Sequence, residues 1–305
     1  MILSYENKVA DKLSIREALA LSGVQTAPLV SMLKSKKITN PLHNWLFDTM
    51  PEASENAHKE VEGIGETPKD TKQKHRNFCQ IFKTEVAVSY RKDATEQYTG
   101  NELNRQVGMY GKKHIKDIEF ALLGLNHANV DADFVDGDGD KTSKMAGFWN
   151  FIPAANRVDG GGEEFTYDKL LEIIQPVWEK GGVDDGNFKI LLSAKLKRKV
   201  NEWIENDKTI RVRDDNKIFN PLITKIETDF GVVDIMLHRL FGNDKLQGRV
   251  LCGNFDESSL CYLVDTKLED VVTDKTAKYK RFYSDVTLEV FNSHYFASGS
   301  GFKVD

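Results

Sequence analysis

The sequence predicts an α+β protein in which an N-terminal arm, an extended β-hairpin and a long helix accompany a smaller α/β subdomain. Three observations support this fold class. Apolar residues recur at helical spacing over residues 101–126, two extended segments flank a charged connection at residues 51–76, and helices alternate with short strands between residues 167 and 240. Such long elements expose surfaces that one copy cannot cover, which indicates assembly with other copies of the chain.

The composition is that of an ordinary globular protein. Of 305 residues, 40% are hydrophobic and 29% are charged, and the formal net charge is −5. Coating nucleic acid requires excess cations, so this charge argues against such a role but allows a local basic face. Cysteines without a C-x-x-C pair fit a reducing cytoplasm. Charged residues near the N-terminus, including Lys8 and Lys12, interrupt the apolar stretch that a signal peptide needs, so we expect no signal peptide. We also expect no membrane segment.

The N-terminal segment is predicted to be an arm with a short helix. A capping-box pattern begins at Ser14, and Pro28 is expected to interrupt the helix within residues 14–33. The stripe that must dock on this chain or on a neighbour is formed by Ile15, Leu19 and Val24.

Two extended segments, residues 37–50 and 77–90, are predicted to be strands. The second alternates apolar and polar residues around Val86 and Val88. The connection at residues 51–76 is charged and nearly free of large apolar residues, so it cannot bury a core of its own. Because so long a connection is usually functional or disordered, we expect the pair to form a protruding hairpin.

Residues 101–126 give the clearest helical pattern, which predicts a helix roughly 35 to 40 Å long. The face opposite its apolar stripe carries Lys112, Lys113 and Lys116. Close packing against a neighbouring element is the expected reason for Gly108 and Gly111. His114 lies near the apolar stripe, where a buried, hydrogen-bonded role is favoured over catalysis.

An α/β subdomain is predicted after a glycine-rich boundary at residues 160–162. The expected helices are residues 167–180 and 194–206, and the expected strands are residues 188–192, 222–227 and 232–240. Residues 279–296 alternate over an unusual length and predict a long closing strand. The basic run at residues 195–199 is interpreted as a solvated helix face, and the tryptophans Trp45, Trp149, Trp178 and Trp203 as core residues.

Catalytic and cofactor motifs are weak in this sequence. The carboxylates between Asp131 and Asp140 resemble a cation loop, but Lys141 and Gly147 replace the glycine and the glutamate that an EF-hand needs. A solvated acidic loop is the favoured interpretation, and a metal-dependent hydrolase is a weak alternative. The sequence has neither a P-loop nor a G-x-S-x-G or H-E-x-x-H motif. We therefore expect no enzyme, no metal and no cofactor.

Several segments resemble the major capsid proteins of tailed bacteriophages. They are Ser14-Ile-Arg-Glu-Ala-Leu, Thr39-Asn-Pro-Leu-His-Asn-Trp-Leu, Arg76-Asn-Phe-Cys-Gln-Ile-Phe-Lys and the helix that follows Gly100-Asn-Glu-Leu. The similarity is strongest over residues 14–126 and implies the Hong Kong 97 type shell fold. It implies an N-terminal arm (1–35), an extended loop (36–98), a peripheral domain with a spine helix (99–154), an axial domain (155–255) and a return to the peripheral domain (256–305).

The resemblance implies a major capsid protein whose copies form pentamers and hexamers around packaged double-stranded DNA. It also implies a virion location after assembly in the host cytoplasm, with portal, scaffolding and cement proteins as further partners and no membrane. Contacts between subunits are assigned to Ile15, Leu19, Trp45, Glu52, Glu60, Lys69, Arg76, Arg211, Arg213 and Asp214. DNA-facing positions are assigned to Lys8, Lys12, Lys112, Lys113 and Lys116. A non-viral nanocompartment with the same fold is the main alternative.

Overall fold

The computed structural model describes residues 27–48, 53, 55, 57–60, 72–95, 101–138, 140–183, 188–206 and 223–304. The helices of this part of the chain are α1 (Pro28–Met32), α2 (Tyr90–Asp93), α3 (Glu102–Leu122), α4 (Phe148–Phe151), α5 (Tyr167–Glu179) and α6 (Ala194–Asn206). Its strands are β1 (Lys34–Lys37), β2 (Leu42–Phe47), β3 (Gln73–Phe78), β4 (Gln80–Ser89), β5 (Arg157–Asp159), β6 (Phe188–Leu192), β7 (Ile223–Thr228), β8 (Gly231–Leu237), β9 (Val250–Asn254), β10 (Ser258–Val271), β11 (Ala277–Val290) and β12 (Phe296–Ser300). None of these helices is long and apolar enough to cross a lipid bilayer.

A four-stranded sheet in the order β1–β10–β11–β4 packs against α3. Strands β10 and β11 form a long antiparallel hairpin, β4 continues the sheet beside β11, and β1 pairs in parallel with β10. Burial alternates along β4, with Val86 and Val88 inside, as predicted. The predicted closing strand over residues 279–296 is shorter than expected, because a 3-10 turn at Ser293–Tyr295 separates β11 from β12.

The α/β part is built on a six-stranded sheet in the order β5–β12–β9–β6–β8–β7. Its helices follow the predicted caps: Thr166 accepts a hydrogen bond from the Lys169 amide, and Ser193 accepts one from the Leu196 amide. Both helices bury apolar faces against the sheet, with Ile173 and Val200 fully covered. The predicted helices and strands of this subdomain are confirmed to within a few residues.

The long helix α3 is shorter than predicted. Asn101 caps its start by accepting a hydrogen bond from the Asn104 amide, and the helix ends at Leu122, which gives 21 residues and a length of about 32 Å. It ends there because Gly124 adopts a positive φ of 69°, and a Cβ atom at that position would meet the Val130 carbonyl. The packing explanation for Gly108 is wrong, because no atom would lie within 4 Å of a Cβ there.

Strands β2 and β3 form an antiparallel ribbon in which Leu42 lies opposite Phe78 and Phe47 opposite Gln73. The predicted hairpin is therefore only partly right: β2 pairs with β3, which lies mostly in the predicted connection at residues 51–76. Most of the predicted second strand, residues 77–90, is β4, which pairs with β11 instead. The first predicted strand, residues 37–50, is in fact divided into β1 and β2. The division falls at Pro41, which has no amide to donate, and the side chain of Asn40 accepts a hydrogen bond from the Leu42 amide instead.

Pro28 begins α1, where the first helical position needs no amide donor; the helix that it was expected to interrupt falls in residues 14–26, outside the described part. Two further expectations need correction. Trp178 is 45% exposed and is not a core residue, although its ring lies against Phe230 in a tilted arrangement. Lys197 is buried within the helix face predicted to be solvated, and burial lowers the pKa of its ammonium group to about 8.

Candidate subunit-contact and DNA-facing surfaces

The root of the ribbon is fixed to the four-stranded sheet by hydrogen bonds from buried side chains. Trp45 Nε1 donates to the Val290 carbonyl at 2.7 Å, and Asn77 Nδ2 donates to the Leu288 carbonyl at 2.9 Å. The Asn77 amide oxygen accepts in turn from the Ala146 amide. These hydrogen bonds fix the position of the ribbon relative to the four-stranded sheet.

Beside this root, Glu289 of β11 gathers three side-chain donors. Its Oε2 lies 2.6 Å from His43 Nε2 and 3.2 Å from Cys261 Sγ, and its Oε1 lies 2.9 Å from Lys36 Nζ. Burial acts to raise the pKa of the Glu289 carboxyl, but the hydrogen bonds from His43, Lys36 and Cys261 outweigh burial and hold the pKa at about 2. These four side chains, called the Glu289 cluster below, join the ribbon to the sheet.

Three of the predicted subunit-contact residues lie in the described part of the chain. Glu60 is exposed, and Arg76 is exposed with its guanidinium 5.4 Å above the Phe134 ring. Trp45 is only 6% exposed because its own chain covers it, so it leaves little surface for a neighbour. The predicted contact residues outside the described part are Ile15, Leu19, Glu52, Lys69, Arg211, Arg213 and Asp214.

The spine helix α3 separates a basic outer face from a buried inner face. Lys112, Lys113 and Lys116 are all exposed, and Lys113 pairs with Asp117 at 2.7 Å. On the inner face His114 is fully buried and hydrogen-bonded, as predicted. Lys8 and Lys12, the other predicted DNA-facing residues, lie outside the described part of the chain.

A second buried carboxylate attaches the segment before β1 to α3. Glu119 accepts hydrogen bonds from the Leu29 and Val30 amides, both at 2.9 Å, and lies 2.6 Å from His238 Nε2. His238 Nδ1 accepts from the Leu240 amide, so the ring proton is on Nε2 and points to Glu119. One carboxylate thus holds α1, the spine helix and the end of β8 together.

Large apolar side chains that a single chain leaves exposed form surfaces which the sequence analysis missed. Val272, at the tip of the β10–β11 hairpin, is 98% exposed, and Leu46 of the ribbon is 56% exposed. Trp178 is 45% exposed and lies beside the half-buried Phe230 at one end of the α/β part. The signal in the sequence was the pair Val271-Val272 directly before the polar residues Thr273, Asp274 and Lys275.

Two carboxylates of the acidic loop, those of Asp131 and Asp133, have partners within this chain. Asp131 lies 3.3 Å from an Arg249 nitrogen and 3.9 Å from an Arg157 nitrogen, and Asp133 accepts a hydrogen bond from Asn150. The Asp131 carboxylate therefore forms ion pairs with two arginines of its own chain. The loop therefore gives the hydrolase alternative no support.

The fold is shared with proteins that build viral and virus-like shells. The capsid of a native GTA particle is similar over 92% of this chain and 91% of its own, with a TM-score of 0.61 and 12% identity. A chain of Microbacterium phage Oxtober96 is similar over 95% of this chain and 99% of its own, with a TM-score of 0.59 and 14% identity. The SrpI encapsulin of Synechococcus elongatus is similar over 91% of this chain and 88% of its own, with a TM-score of 0.59 and 12% identity.

Sequence similarity identifies the family of this chain more specifically than the shared fold does. No curated protein sequence matches the chain, but the family model of the SU10 major capsid protein matches residues 3–303. The chain therefore belongs to the SU10 major capsid protein family. This confirms the resemblance drawn from the arm, the hairpin and the spine helix, and the Hong Kong 97 type fold class with it. The encapsulin shares only the fold.

Proposed function

We propose that identical copies of this chain form pentamers and hexamers that close an icosahedral head around phage double-stranded DNA. The observation that carries the proposal is the family match over residues 3–303. The role is structural, with neither a catalytic step nor a cofactor. Assembly takes place in the host cytoplasm, the final location is the virion capsid, and portal, scaffolding and cement proteins are the further partners.

The proposed contacts between subunits are the surfaces that one chain leaves uncovered. Val272 is 98% exposed and Trp178 45% exposed, and burying such apolar area against a second copy is favourable. Glu60 and Arg76 are exposed charges able to pair across subunits, and the contact residues outside the described part stay in the proposal. Many weak contacts of this kind make a closed shell stable through multivalency.

The proposed DNA-facing surface is the basic side of α3. Lys112 and Lys116 are one helical turn apart and exposed, so they present two ammonium groups on one side. Lys113 is partly neutralised by Asp117 and contributes less. Contacts of this kind bind phosphates without reading sequence, and they weaken as salt increases.

A nanocompartment shell is the second candidate, because the Synechococcus elongatus encapsulin shares the fold with a TM-score of 0.59. The two candidates differ in what they enclose. A phage head contains DNA and a nanocompartment contains protein cargo. Nuclease-protected nucleic acid in particles from infected or induced cells would favour the head, and a protein cargo would favour the compartment.

Electron microscopy and light scattering of the purified chain, alone and with its neighbouring reading frames, test the assembly. We expect shells or rings of five and six subunits. Val272→Asp should reduce assembly at least tenfold, since a charge at a contact must lose its water. Asn129→Asp, at another exposed position, keeps the side-chain oxygen that accepts from the Asp131 amide, so this matched control should assemble normally. A monomer under both conditions would refute the proposal.

A further inference from the structure

Within the described part of the chain, the Glu289 cluster brings together the ligand atoms that a transition metal prefers. His43 Nε2, Cys261 Sγ and a Glu289 carboxylate oxygen all lie within 4.8 Å of one another. The three residues come from β2, β10 and β11, so they are far apart in the sequence and meet only through the fold. We propose that His43, Cys261 and Glu289 form a zinc site that fastens the ribbon of β2 and β3 to the four-stranded sheet.

The donor set selects the metal. Thiolate and imidazole ligands favour zinc and related transition metals, whereas calcium and magnesium take oxygen ligands almost alone. Zinc accepts one nitrogen, one sulfur and one carboxylate oxygen in a tetrahedral arrangement that leaves a fourth position. Water can fill that position.

The spacing of the ligands is close to what zinc needs. Two ligands of a tetrahedral zinc ion lie about 3.3 to 3.5 Å apart, and Cys261 Sγ is already 3.2 Å from Glu289 Oε2. His43 Nε2 is 2.6 Å from the same oxygen, so its ring must withdraw by less than about 1 Å. Its side chain is 13% exposed and lies at the open edge of the cluster, where such a movement is possible.

The positive charge of Lys36 opposes a bound cation, but the position of its ammonium group leaves room for one. Its ammonium group lies 2.9 Å from Oε1 and 3.0 Å from Oε2 of Glu289, and its side chain is 52% exposed. The head group can therefore keep Oε1 and leave Oε2 to the metal. Lys36 would then act as an outer partner that orients the carboxylate and balances the negative charge of the thiolate.

Zinc would have to replace a proton at Cys261. Cys261 is fully buried beside Ile38 and Cys79, and burial raises the pKa of its thiol, so without a metal it keeps its proton. Zinc binding forms a zinc–sulfur bond and releases that proton to water. A bound ion would then restrain the ribbon through His43, in addition to the hydrogen bond of Trp45.

The test is zinc binding by the full-length chain after chelator treatment and removal of the chelator. We expect one zinc ion per chain by elemental analysis, a higher Tm in zinc, and a thiolate-to-metal absorption band when cobalt(II) replaces zinc. Cys261→Ser should weaken zinc binding by about tenfold or more and abolish the band. His43→Gln, which changes a partly exposed side chain, should weaken zinc binding in the same way.

The matched control is Cys252→Ser, which makes the same exchange at a fully buried cysteine of the six-stranded sheet that donates to the Ala297 carbonyl. It should bind zinc as the unchanged chain does. Absence of stoichiometric zinc from the unchanged chain would refute the site and leave the cluster as hydrogen bonds only. Equal zinc binding by the unchanged chain, Cys261→Ser and His43→Gln would also refute it.

Discussion

Two buried carboxylates join segments that are distant in this sequence, and they do so with different donors. Glu119 is held by two backbone amides and by His238, and its side chain is fully buried. Glu289 is held entirely by side chains, one of which, Lys36, is half exposed. The backbone donors cannot leave unless the whole of α1 moves away from α3, whereas side-chain donors can rotate away. The comparison indicates that Glu119 is a permanent attachment, while Glu289 can exchange its partners.

Removing each carboxylate tests this difference most strongly. Glu119→Ala leaves two backbone amides and a histidine without an acceptor, so we expect a loss of about 3 to 5 kcal/mol in the free energy of unfolding. Glu289→Ala should cost less, about 1 to 3 kcal/mol, because the Lys36 ammonium returns to water. Urea unfolding of the unassembled chain measures both losses.

The control for both is Glu163→Ala, since the Glu163 side chain is 71% exposed. It should change the free energy of unfolding by less than about 0.5 kcal/mol. Equal losses at Glu119 and Glu289 would contradict the distinction between backbone and side-chain donors.

A buried histidine without a carboxylate partner sharpens the comparison. His114 lies between the Thr84 and Ser284 hydroxyls, and its pKa is lowered to about 4 mainly by burial, while Asp117 raises it and Lys113 lowers it to smaller extents. The folded state therefore binds this proton less readily than the unfolded state, whose histidine pKa is 6.5. The stability that neutral His114 provides is complete above pH 6.5 and decreases as the pH falls towards 4.

Between pH 6.5 and pH 5 this loss should be about 2 kcal/mol. Unfolding of the unchanged chain and of His114→Gln at several pH values isolates the contribution of His114, because the other groups titrate alike in both proteins. The difference in free energy between the two should diminish as the pH falls. A difference that is independent of pH would show that His114 is not kept neutral by burial.

The Trp45 hydrogen bond tests whether the ribbon depends on Glu289 alone. Trp45→Phe retains an aromatic ring but removes the donor to the Val290 carbonyl, which should cost about 1 to 2 kcal/mol. Trp178→Phe makes the same change at a tryptophan that is 45% exposed and should cost less than about 0.5 kcal/mol. Similar results for both variants would mean that the Trp45 bond does not hold the ribbon.

The elements with regular periodicity could be predicted from the sequence, and those with interrupted periodicity could not. The caps at Thr166 and Ser193 and the alternation in β4 are local patterns, and they predicted those elements correctly. Strand β10 was missed because register shifts around Val264 interrupt its alternation of inward and outward residues. The end of α3 was misplaced because the left-handed Gly124 depends on the loop that returns to Val130.

The sites were less predictable than the fold for a related reason. Lys112, Lys113 and Lys116 are neighbours on one helix, so their shared exposure follows from helical spacing. Cys261 and Glu289 meet through the pairing of β10 with β11, His43 joins them only by the docking of the ribbon on the sheet, and no spacing in the sequence indicates this arrangement. Trp45 was assigned both to the core and to a subunit contact, and its 6% exposure agrees with the core assignment.

The smallest expected effect concerns Lys36. Its side chain is 52% exposed, so the ion pair with Glu289 is screened by solvent, and Lys36→Gln should cost no more than about 1 kcal/mol. That cost should decrease further as salt is added, which unfolding at low and high ionic strength would measure. A loss as large as that of Glu289→Ala, insensitive to salt, would mean that Lys36 is as firmly fixed as the amides that hold Glu119. The Glu289 cluster would then be closed, and its donors could not make way for another ligand.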